Sequence, residues 1–473
     1  MSTKLTRREI LTSAANGFGI GFSAAALTGI LQAAETNPLA PKPAPLPTKV
    51  KSVIYLHMHG GVSHVDTFDP KPVLTKYNGK PLSAELAKVI KTSFIHDPSK
   101  AILRGSPWEF RPGGKSGLPV SDLFPHLRDV ADDLVVLKGC HSDQFDHAPA
   151  IYLRHTGHSL PGRPCLGSWI TYGLGTENQN LPAFVVMSDG STKSGPPAYA
   201  AGFLPAVYQG TIFRGGESPI LYLKNPRGVS EESQRATLDF IHQIGRIQQR
   251  TRPEDSTLDA RIASYELAAR MQSSAPDAVD LSKETEATKS LYGIGGEHTD
   301  DFGRKCLLAR RLVERGVRFV ELISGTNVGQ DWDEAHFDLT GSHARMAMKT
   351  DQPIAGLLRD LKSRGLLDST LLVWGGEFGR TPLSQGDNGR DHHPYGFCAW
   401  MAGGGIQGGR ALGSTDEFGV QPAEMPIDAH DLNATILRLM GIDHLALTYL
   451  YQGRDMRLTD VKGQGEFSAK LLA

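Results

Sequence analysis

Short apolar segments that end at glycine recur along this chain, and segments with helical periodicity lie between them. The clearest is Leu371–Trp374, which stops at Gly375 and Gly376 and is followed by charged residues. Strands that alternate with helices are typical of an α/β fold with parallel neighbours in one central sheet. The other predicted strands are Val50–Met58, Leu134–Leu137, Ala183–Met187, Arg318–Ile323 and Phe397–Met401.

The segments between most of the predicted strands carry apolar residues at helical spacing. We expect these apolar stripes to face the core, as those of most surface helices do. The polar segment Lys76–Gly117 is broken by proline and glycine, so it is expected to be mostly irregular. No internal repeat or low-complexity linker divides the chain after residue 48, which predicts one large domain over 49–473 with loop insertions. The predicted helices are Glu231–Gln249, Leu258–Gln272, Asp301–Arg315, His343–Arg364 and Asp428–Met440.

Composition limits the partners that the chain can have. Apolar residues make up 40% of its 473 residues and charged residues 21%, as in soluble globular proteins. The formal net charge is -1, so neither nucleic acid nor an anionic membrane surface is indicated as a partner. The four cysteines lie far apart with no CxxC pair, which excludes a zinc-ribbon cluster and argues against a disulfide scaffold. The sequence gives no indication of the oligomeric state.

The N-terminus carries an export pattern. Arg7 and Arg8 precede a weakly apolar run rich in glycine and alanine, Phe18–Leu31, and this arrangement resembles a twin-arginine signal. We predict a signal peptide over 1–34, a proline-rich, solvated linker over 35–48, and a mature protein in the periplasm or elsewhere outside the cytoplasmic membrane. The run is too short and glycine-rich for a stable membrane span, although an uncleaved anchor is the alternative.

Acidic and imidazole side chains follow four of the predicted strands. The carboxyl ends of parallel strands meet at one edge of a sheet, so residues remote in sequence can assemble one site there. Carboxylates and imidazoles bind divalent metals, and these groups are numerous enough for one or two ions. Arg380 and Arg390 could contact an oxyanion or could pair with Glu377 or Asp391. The four groups are Ser63, His64, Asp66 and Asp69; His141, Asp143, Asp146 and His147; Asp331, Asp333 and His336; and Glu377, His392 and His393.

Five segments form the most specific pattern in the chain: GGVSHVDTFDPKP, WDEAH, GEFGRTP, GRDHHPYGF and GIQGGRALGSTDEFG. They resemble the alkaline phosphatase/sulfatase superfamily and, within it, the exported domain-of-unknown-function family DUF1501. The resemblance extends from about Val53 to Asp455. It implies an alkaline phosphatase-like fold, with helices on both faces of a mostly parallel sheet, and a site for one or two divalent metal ions. Zinc is the first expectation for the metal, and manganese and calcium are the alternatives.

The resemblance also implies particular metal ligands. Glu377 stands where the superfamily usually has an aspartate, and His392 fits the downstream histidine better than His393. Asp331 competes with Asp333 for one position, because the usual gap to the following histidine is longer than the gap in WDEAH. The implied ligands are Asp66, Asp331 or Asp333, His336, Glu377 and His392.

The expected nucleophile is replaced. Sulfatases of the superfamily carry CxPSRxxxLTG, and the comparable segment here is HAPAIYLRHTG, in which His147 takes the nucleophile position. The Ser-Arg pair that supports conversion of a cysteine to formylglycine is absent, and Cys165 lacks the pattern that follows, so that mechanism is not expected. His147 could attack directly, could ligate a metal or act as general base to a metal-bound water, or could lie in a site that only binds. The second interpretation is favoured.

These patterns predict an exported, metal-dependent hydrolase of phosphate or sulfate esters of small molecules or carbohydrates. The alternative is a catalytically silent protein of the same fold that binds a metal or an anion. A lesser alternative comes from His57-Met58-His59, because an HxH sequence after a first strand also opens the metal site of amidohydrolase barrels. A barrel would need eight regular strand–helix units, and the irregular segments do not offer them.

Overall fold

The computed structural model describes residues 37–473, apart from 91, 93–94, 96, 98–99, 189, 191, 217, 221–222, 224–227, 252–255 and 326–330. The predicted signal peptide over 1–34 lies outside the described residues, as does the start of the predicted linker. In the described part of the chain, no helix is long and apolar enough to cross a membrane.

The described strands fall into one large sheet and several short pairs. β1, β4, β5, β7, β8 and β11 are buried along most of their length, because they are the apolar runs of the sequence. The strands are β1 (Ser52–Met58), β2 (Phe110–Gly113), β3 (Leu118–Ser121), β4 (Leu134–Cys140), β5 (Phe184–Ser188), β6 (Thr211–Arg214), β7 (Phe319–Ser324), β8 (Thr370–Gly375), β9 (Gly379–Arg380), β10 (His392–His393), β11 (Phe397–Gly403), β12 (Arg410–Leu412), β13 (Ser414–Thr415), β14 (Pro422–Glu424), β15 (Tyr449–Tyr451) and β16 (Arg454–Met456).

The large sheet has eight strands in the order β12-β4-β11-β8-β1-β7-β5-β6. Its neighbours are parallel, except that β11 runs antiparallel to β4 and β8. The prediction of a mostly parallel central sheet is therefore confirmed. The sheet is open, with β12 and β6 at its two edges, so the amidohydrolase barrel is wrong for this chain.

Helices pack on both faces of the sheet. The described helices are α1 (Pro72–Lys76), α2 (Ala84–Val89), α3 (Pro125–Asp129), α4 (His147–Thr156), α5 (Leu166–Leu174), α6 (Glu231–Thr251), α7 (Ser256–Val279), α8 (Glu286–Leu291), α9 (Asp300–Glu314), α10 (Leu339–Ser363), α11 (Ala429–Leu439) and α12 (Ser468–Leu472). One apolar cluster joins α3, α7, α9 and α10 to one face of the sheet. A second cluster joins α4, α5, α11 and α12 to the other face.

The alternation of β1 shows how the sequence sets these two faces. Ile54, Leu56 and Met58 contribute to the first cluster, whereas Val53 and Tyr55 contribute to the second. Successive side chains of a strand point to opposite faces, so the apolar run of β1 can be buried on both sides. By the same alternation, His57 lies on the face that α4 covers.

The proline-rich segment differs from the predicted solvated linker. The amide of Lys42 donates to the carbonyl of Leu174, and the amide of Leu46 donates to the carbonyl of Gly441. The Tyr208 hydroxyl donates to the carbonyl of Pro38. Proline favours an extended backbone, and here the extended backbone lies along the domain surface, so the body begins before Thr48.

The described part of Lys76–Gly117 contains the short elements α2 and β2 and is otherwise mostly turns and loops, as expected. One other expectation needs correction. The apolar stripe of the predicted helix Glu231–Gln249 does not all face the core, since Phe240 and Ile247 of α6 are mostly exposed.

Candidate metal centre

The site forms at the carboxyl edge of the sheet. β1 lies between β7 and β8, parallel to both, and His57 pairs in register with Ile323 and with Gly375. β4 runs the same way as β8, because both are antiparallel to β11. Segments that leave the ends of β1, β4, β5, β7 and β8 therefore emerge together, and polar side chains from all five are in contact there.

A glycine turn after β1 lets two of these segments approach closely. Gly60 has φ +113°, and a Cβ atom on it would lie 2.5 Å from the backbone nitrogen of Asp333. The amide of Trp332 donates to the carbonyl of His59 at 3.2 Å. This contact holds the 3-10 turn Trp332–His336 against the end of β1, so the WDEAH segment enters the site only because residue 60 lacks a side chain.

The centre of the site is a group of three residues from three segments: His147 at the start of α4, Asp333 in the 3-10 turn, and His392 in β10. Each offers one ligand atom within 4.8 Å of the others. Oδ1 of Asp333 lies 3.0 Å from Nε2 of His147 and 3.0 Å from Nε2 of His392. His336 joins this group, with its Nε2 2.8 Å from Nε2 of His392.

The packing around Asp333 tests whether these residues suit a metal ion. Its Oδ1 has Nε2 of His336 at 3.3 Å and Nη2 of Arg380 at 2.8 Å, in addition to the nitrogens of His147 and His392. Four nitrogens around one carboxylate oxygen exceed its usual capacity for hydrogen bonds. Two imidazole nitrogens 2.8 Å apart also need a shared proton or a shared cation. A donor set of carboxylate and imidazoles so arranged fits a divalent metal.

Glu377 lies beside this group and is held from several sides. Its Oε1 is 2.6 Å from Nδ1 of His147, and both of its oxygens accept from the amide of Gly60, at 3.0 and 3.2 Å. Burial alone would raise the pKa of Glu377, but the hydrogen bond from His147 and the nearby charge of the same ring lower it well below its usual range. The carboxylate is therefore ionised, the form that binds a metal.

His57 and His59 complete the other side of the site. Both are buried, and both ring nitrogens of His57 and Nδ1 of His59 have no hydrogen-bond partner. Nε2 of His57 lies 3.7 Å from Oε2 of Glu377, and Nδ1 of His59 lies 3.7 Å from Oδ2 of Asp331. Burial lowers the pKa of His57 and of His59, so both are neutral and can donate a lone pair. Unpaired buried donors and acceptors are costly, and a bound cation would satisfy them.

Sequence reasoning left His57 and His59 out of the implied ligands and considered the pair as ligands only in the lesser, barrel alternative. The signal was present, since an HxH pair at a strand end directs both imidazoles to one side. Lys193 was missed altogether, because it lies in a polar loop after β5 with no distinctive pattern. Its Nζ contacts Asp333, lies 3.3 Å from Oδ2 of Asp331, and lies 3.2 Å from Nε2 of His147.

His147 lies between the two sides of the site. Burial alone would lower its pKa, but hydrogen bonds to Asp333 and Glu377 outweigh burial and raise it. Each ring nitrogen has a carboxylate oxygen beside it, which favours the protonated ring. The other nucleophile considered, Cys165, is buried at the start of α5, and burial raises the pKa of its thiol to about 12.

Asp66 and Arg390 pair with each other. Nε of Arg390 lies 2.7 Å from Oδ2 of Asp66, and Nη2 lies 3.1 Å from Oδ1, and both side chains are fully buried. Burial would raise the pKa of Asp66, but the charge of Arg390 lowers it. A carboxylate engaged by a bidentate guanidinium has little left to offer a metal, so this geometry favours a structural role for both residues.

Arg380 is likewise placed to hold the loops of the site together rather than to contact an anion from solvent. Its side chain is fully buried, and it donates to the carbonyl of Gly61 at 2.8 Å as well as to Gly60 and to Asp333. Of the predicted residues, the structure brings together His147, Asp331, Asp333, His336, Glu377 and His392, with Arg380 behind them. Their roles as ligands or catalytic groups stay predictions.

Comparison of the sequence with family models identifies the family of this chain. A family model described as "Protein of unknown function (DUF1501)" matches residues 50–466, which agrees with the span of the predicted resemblance. No curated protein matches the sequence. Similar solved structures include the lipoteichoic acid synthase LtaP from Listeria monocytogenes, with 8% identity, a TM-score of 0.38, and coverage of 89% of this chain and 78% of that chain.

Two further structures are similar at comparable levels. One is the PsFucS1 sulfatase from Pseudoalteromonas sp., with 14% identity, a TM-score of 0.37, and coverage of 83% of this chain and 68% of that chain. The other is a protein in the alkaline phosphatase superfamily from Vibrio parahaemolyticus, with 11% identity, a TM-score of 0.35, and coverage of 87% of this chain and 71% of that chain.

Proposed function

The chain belongs to the DUF1501 family, and from the geometry of its site we propose that it is a metal-dependent hydrolase of phosphate or sulfate esters. The observation that carries the proposal is the convergence of His147, Asp333 and His392 on one point, with Glu377 and Lys193 beside them. Such a group would supply metal ligands, a proton carrier and a cation at the carboxyl edge of an α/β sheet.

Two sets of residues would hold the metal. Asp333, His336 and His392 form one set, and Glu377 with His57 forms the core of the other, to which His59 and Asp331 lie close. Zinc suits these nitrogen and oxygen donors best, while manganese and calcium are the alternatives. A bound divalent ion would supply Lewis-acid polarisation of the ester and a lower pKa for water.

His147 would carry the proton. Glu377 accepts a hydrogen bond from Nδ1 of His147, which fixes the ring and leaves Nε2 facing Asp333 and Lys193. In this orientation the protonated Nε2 can give its proton to the leaving alcohol, and the neutral ring that results can then take a proton from water. The arrangement resembles the histidine of a catalytic triad, in which a carboxylate orients the base.

Lys193 would contact the negative charge of the ester. Its side chain is partly exposed, with a relative accessibility of 17%, whereas Arg380 and Arg390 are fully buried. A flexible ammonium group can leave Asp331 and Asp333 to meet a phosphate or sulfate oxygen, in the way that lysine commonly binds such groups. The substrate is thereby proposed to be an anionic ester of a small molecule or carbohydrate.

Metal analysis and an ester panel together test the proposal. The purified protein should contain about one to two equivalents of a divalent metal, and it should hydrolyse at least one chromogenic phosphate or sulfate ester. His392→Ala should lower both the metal content and the activity, whereas His298→Ala, at an exposed histidine outside the site, should change neither. Full metal loading with no turnover on a broad panel would favour the binding protein instead. A metal-free protein with unchanged stability would refute the site.

We further propose that the protein is exported through the twin-arginine route. The support is the Arg7-Arg8 pair and the apolar run that follows it. Fractionation of cells that express the full chain should place it outside the cytoplasmic membrane, and replacement of both arginines by lysine should retain it in the cytoplasm. Export of the double variant would contradict the proposal.

A further inference from the structure

Arg154 of α4 is a buried arginine that forms no ion pair with a described residue. Only 4% of its surface is exposed. An arginine is rarely buried so fully unless a carboxylate pairs with it, because an uncompensated charge in the protein interior is costly. The other buried arginines all pair with an aspartate or a glutamate, and they are Arg310, Arg311, Arg318, Arg380 and Arg390. The described chain therefore supplies a negative partner to each of these arginines but not to Arg154.

The guanidinium of Arg154 is held in place by neutral groups. Its Nε donates to the Tyr55 hydroxyl at 2.7 Å, and its Cζ lies 5.9 Å from the ring centres of Tyr55 and of Phe397. Gly375 ends β8 directly against it, and a Cβ atom on this glycine would lie 2.7 Å from Nη2. Burial raises the pKa of Tyr55, so its hydroxyl stays protonated. Aromatic rings and a hydroxyl attract a cation but carry no net charge, so the charge of Arg154 is not neutralised.

Arg154 lines a small cavity where β4 ends and α11 begins, and its Nη2 is buried with no hydrogen-bond partner. The cavity has a volume of about 10 Å³, which admits one species about the size of a water molecule. Two further features of its lining favour an anion. The Ser142 hydroxyl accepts from the amide of Gln144 at 3.2 Å, so it can direct its own proton to another acceptor. Ala429, the first residue of α11, also lines the cavity, so the positive end of the helix dipole lies there.

The other ionisable groups in the lining do not neutralise Arg154. Glu377 is engaged by Nδ1 of His147 at 2.6 Å, and Asp428 accepts from two amides in the first turn of α11. Burial raises the pKa of the Cys140 thiol to about 11, so this group is uncharged at neutral pH. The guanidinium is thus left to a negative partner that comes from solvent.

We propose that this cavity binds a small monovalent anion of the size of chloride, held by the guanidinium of Arg154. Charge selects an anion over a water molecule, and the small volume selects a single ion over a phosphate or sulfate group with its four oxygens. α4 begins at His147, and Arg154 lies about two turns further along the same face. An ion that fixes Arg154 also fixes the helix that carries His147. Because only the folded chain forms the cavity, the ion stabilises the fold.

Thermal unfolding of the full folded chain tests the site through its effect on stability. When potassium chloride replaces potassium gluconate at constant ionic strength, the melting temperature of the wild type should rise by a few degrees along a saturable curve. Arg154→Met removes the charge and keeps a long unbranched side chain, and its melting temperature should not respond to chloride. Arg111→Met, at an arginine with an exposed side chain, should respond like the wild type. Equal responses of the wild type and Arg154→Met would overturn the proposal.

Bromide locates the ion without any substitution, so this second test holds even if Arg154→Met does not fold. Bromide has the charge of chloride and a similar size, and it scatters X-rays anomalously. Crystals of the wild type grown in sodium bromide should show an anomalous peak in contact with the guanidinium of Arg154. A water molecule in that position, with no anomalous peak, would overturn the proposal. A higher KM for an ester in Arg154→Met, with no response of the wild type to chloride, would overturn it in favour of a substrate contact.

The anion site and the hydrolase can be judged separately. A bromide ion beside Arg154 in a protein that turns over no ester would support the anion site and contradict only the hydrolase. An active enzyme whose melting temperature ignores chloride, and whose crystals show no bromide peak there, would support the hydrolase and overturn the anion site.

Discussion

Replacement of His147 by alanine distinguishes a proton carrier from a metal ligand. The ring bridges two carboxylates, with Nδ1 2.6 Å from Glu377 and Nε2 3.0 Å from Asp333. Its removal leaves Asp333, His336 and His392 on one side, and Glu377 and His57 on the other. We therefore expect His147→Ala to keep most of its metal.

The size of the effect on activity follows from the role assigned to the ring. A positioned general acid or base contributes about 10²- to 10⁴-fold to a rate, so kcat of His147→Ala should fall by that factor. KM should change little, because Lys193 and not His147 is assigned to the anionic group. The space left by the ring is lined by the same two carboxylates, so added imidazole should restore part of the activity.

The assay measures metal content and steady-state kinetics on the same preparations of wild type, His147→Ala and the control His298→Ala. Loss of metal in parallel with activity would show that His147 is a ligand, and the assignment of the proton carrier would be wrong. Activity within about threefold of the wild type would also refute the reasoning, because a proton carrier is worth far more than that.

Three further predictions follow from individual contacts. Gly60→Ala should abolish activity and lower the melting temperature, because the new Cβ atom would lie 2.5 Å from the backbone nitrogen of Asp333 and residue 60 has φ +113°. An activity assay and thermal unfolding measure the two effects. Lys193→Met should raise KM for an anionic ester more than it lowers kcat, as steady-state kinetics would show. Asp428→Ala, which removes the N-cap of α11, should cost about 1 kcal/mol in denaturant unfolding at neutral pH. Burial would raise the pKa of Asp428, but hydrogen bonds from His430 and Asp431 lower it to about 2 from 3.8, so its stabilisation is present above about pH 4 and is lost as pH falls towards 2.

The central part of the fold could be predicted because its strands are nearly continuous apolar runs. β1, β7 and β8 are buried on both faces, and such strands stand out in a sequence. The edge strand β6 was missed because it is short and partly exposed, so it lacks an apolar run. Helices buried in the core by conventional apolar stripes, such as α10, were also predictable.

α4 escaped prediction for a different reason. It is a ten-residue helix whose buried positions include Arg154 and His155, so its inner face does not read as apolar. Nε2 of His155 lies 2.7 Å from Oε1 of Glu321, a buried residue of β7, and the Arg154 Nε donates to the Tyr55 hydroxyl of β1. Polar side chains that are buried beneath a site interrupt the helical periodicity of apolar residues from which a helix is predicted.

The structure places His57 and His59 at the end of β1 beside the group around Asp333, whereas Asp66, an implied ligand, contacts Arg390. Asp66 was chosen from the resemblance, by its position after the first strand. His57 and His59 end the strand that lies between β7 and β8, so their backbone is fixed at the edge where the other segments emerge. Asp66 follows a turn at Gly60 and Gly61 and reaches Arg390 instead. The register of a strand fixes the position of its last residues, whereas a sequence motif does not fix where a residue beyond a turn will lie. We therefore expect His57→Ala to reduce the metal content of the folded protein more than Asp66→Asn does.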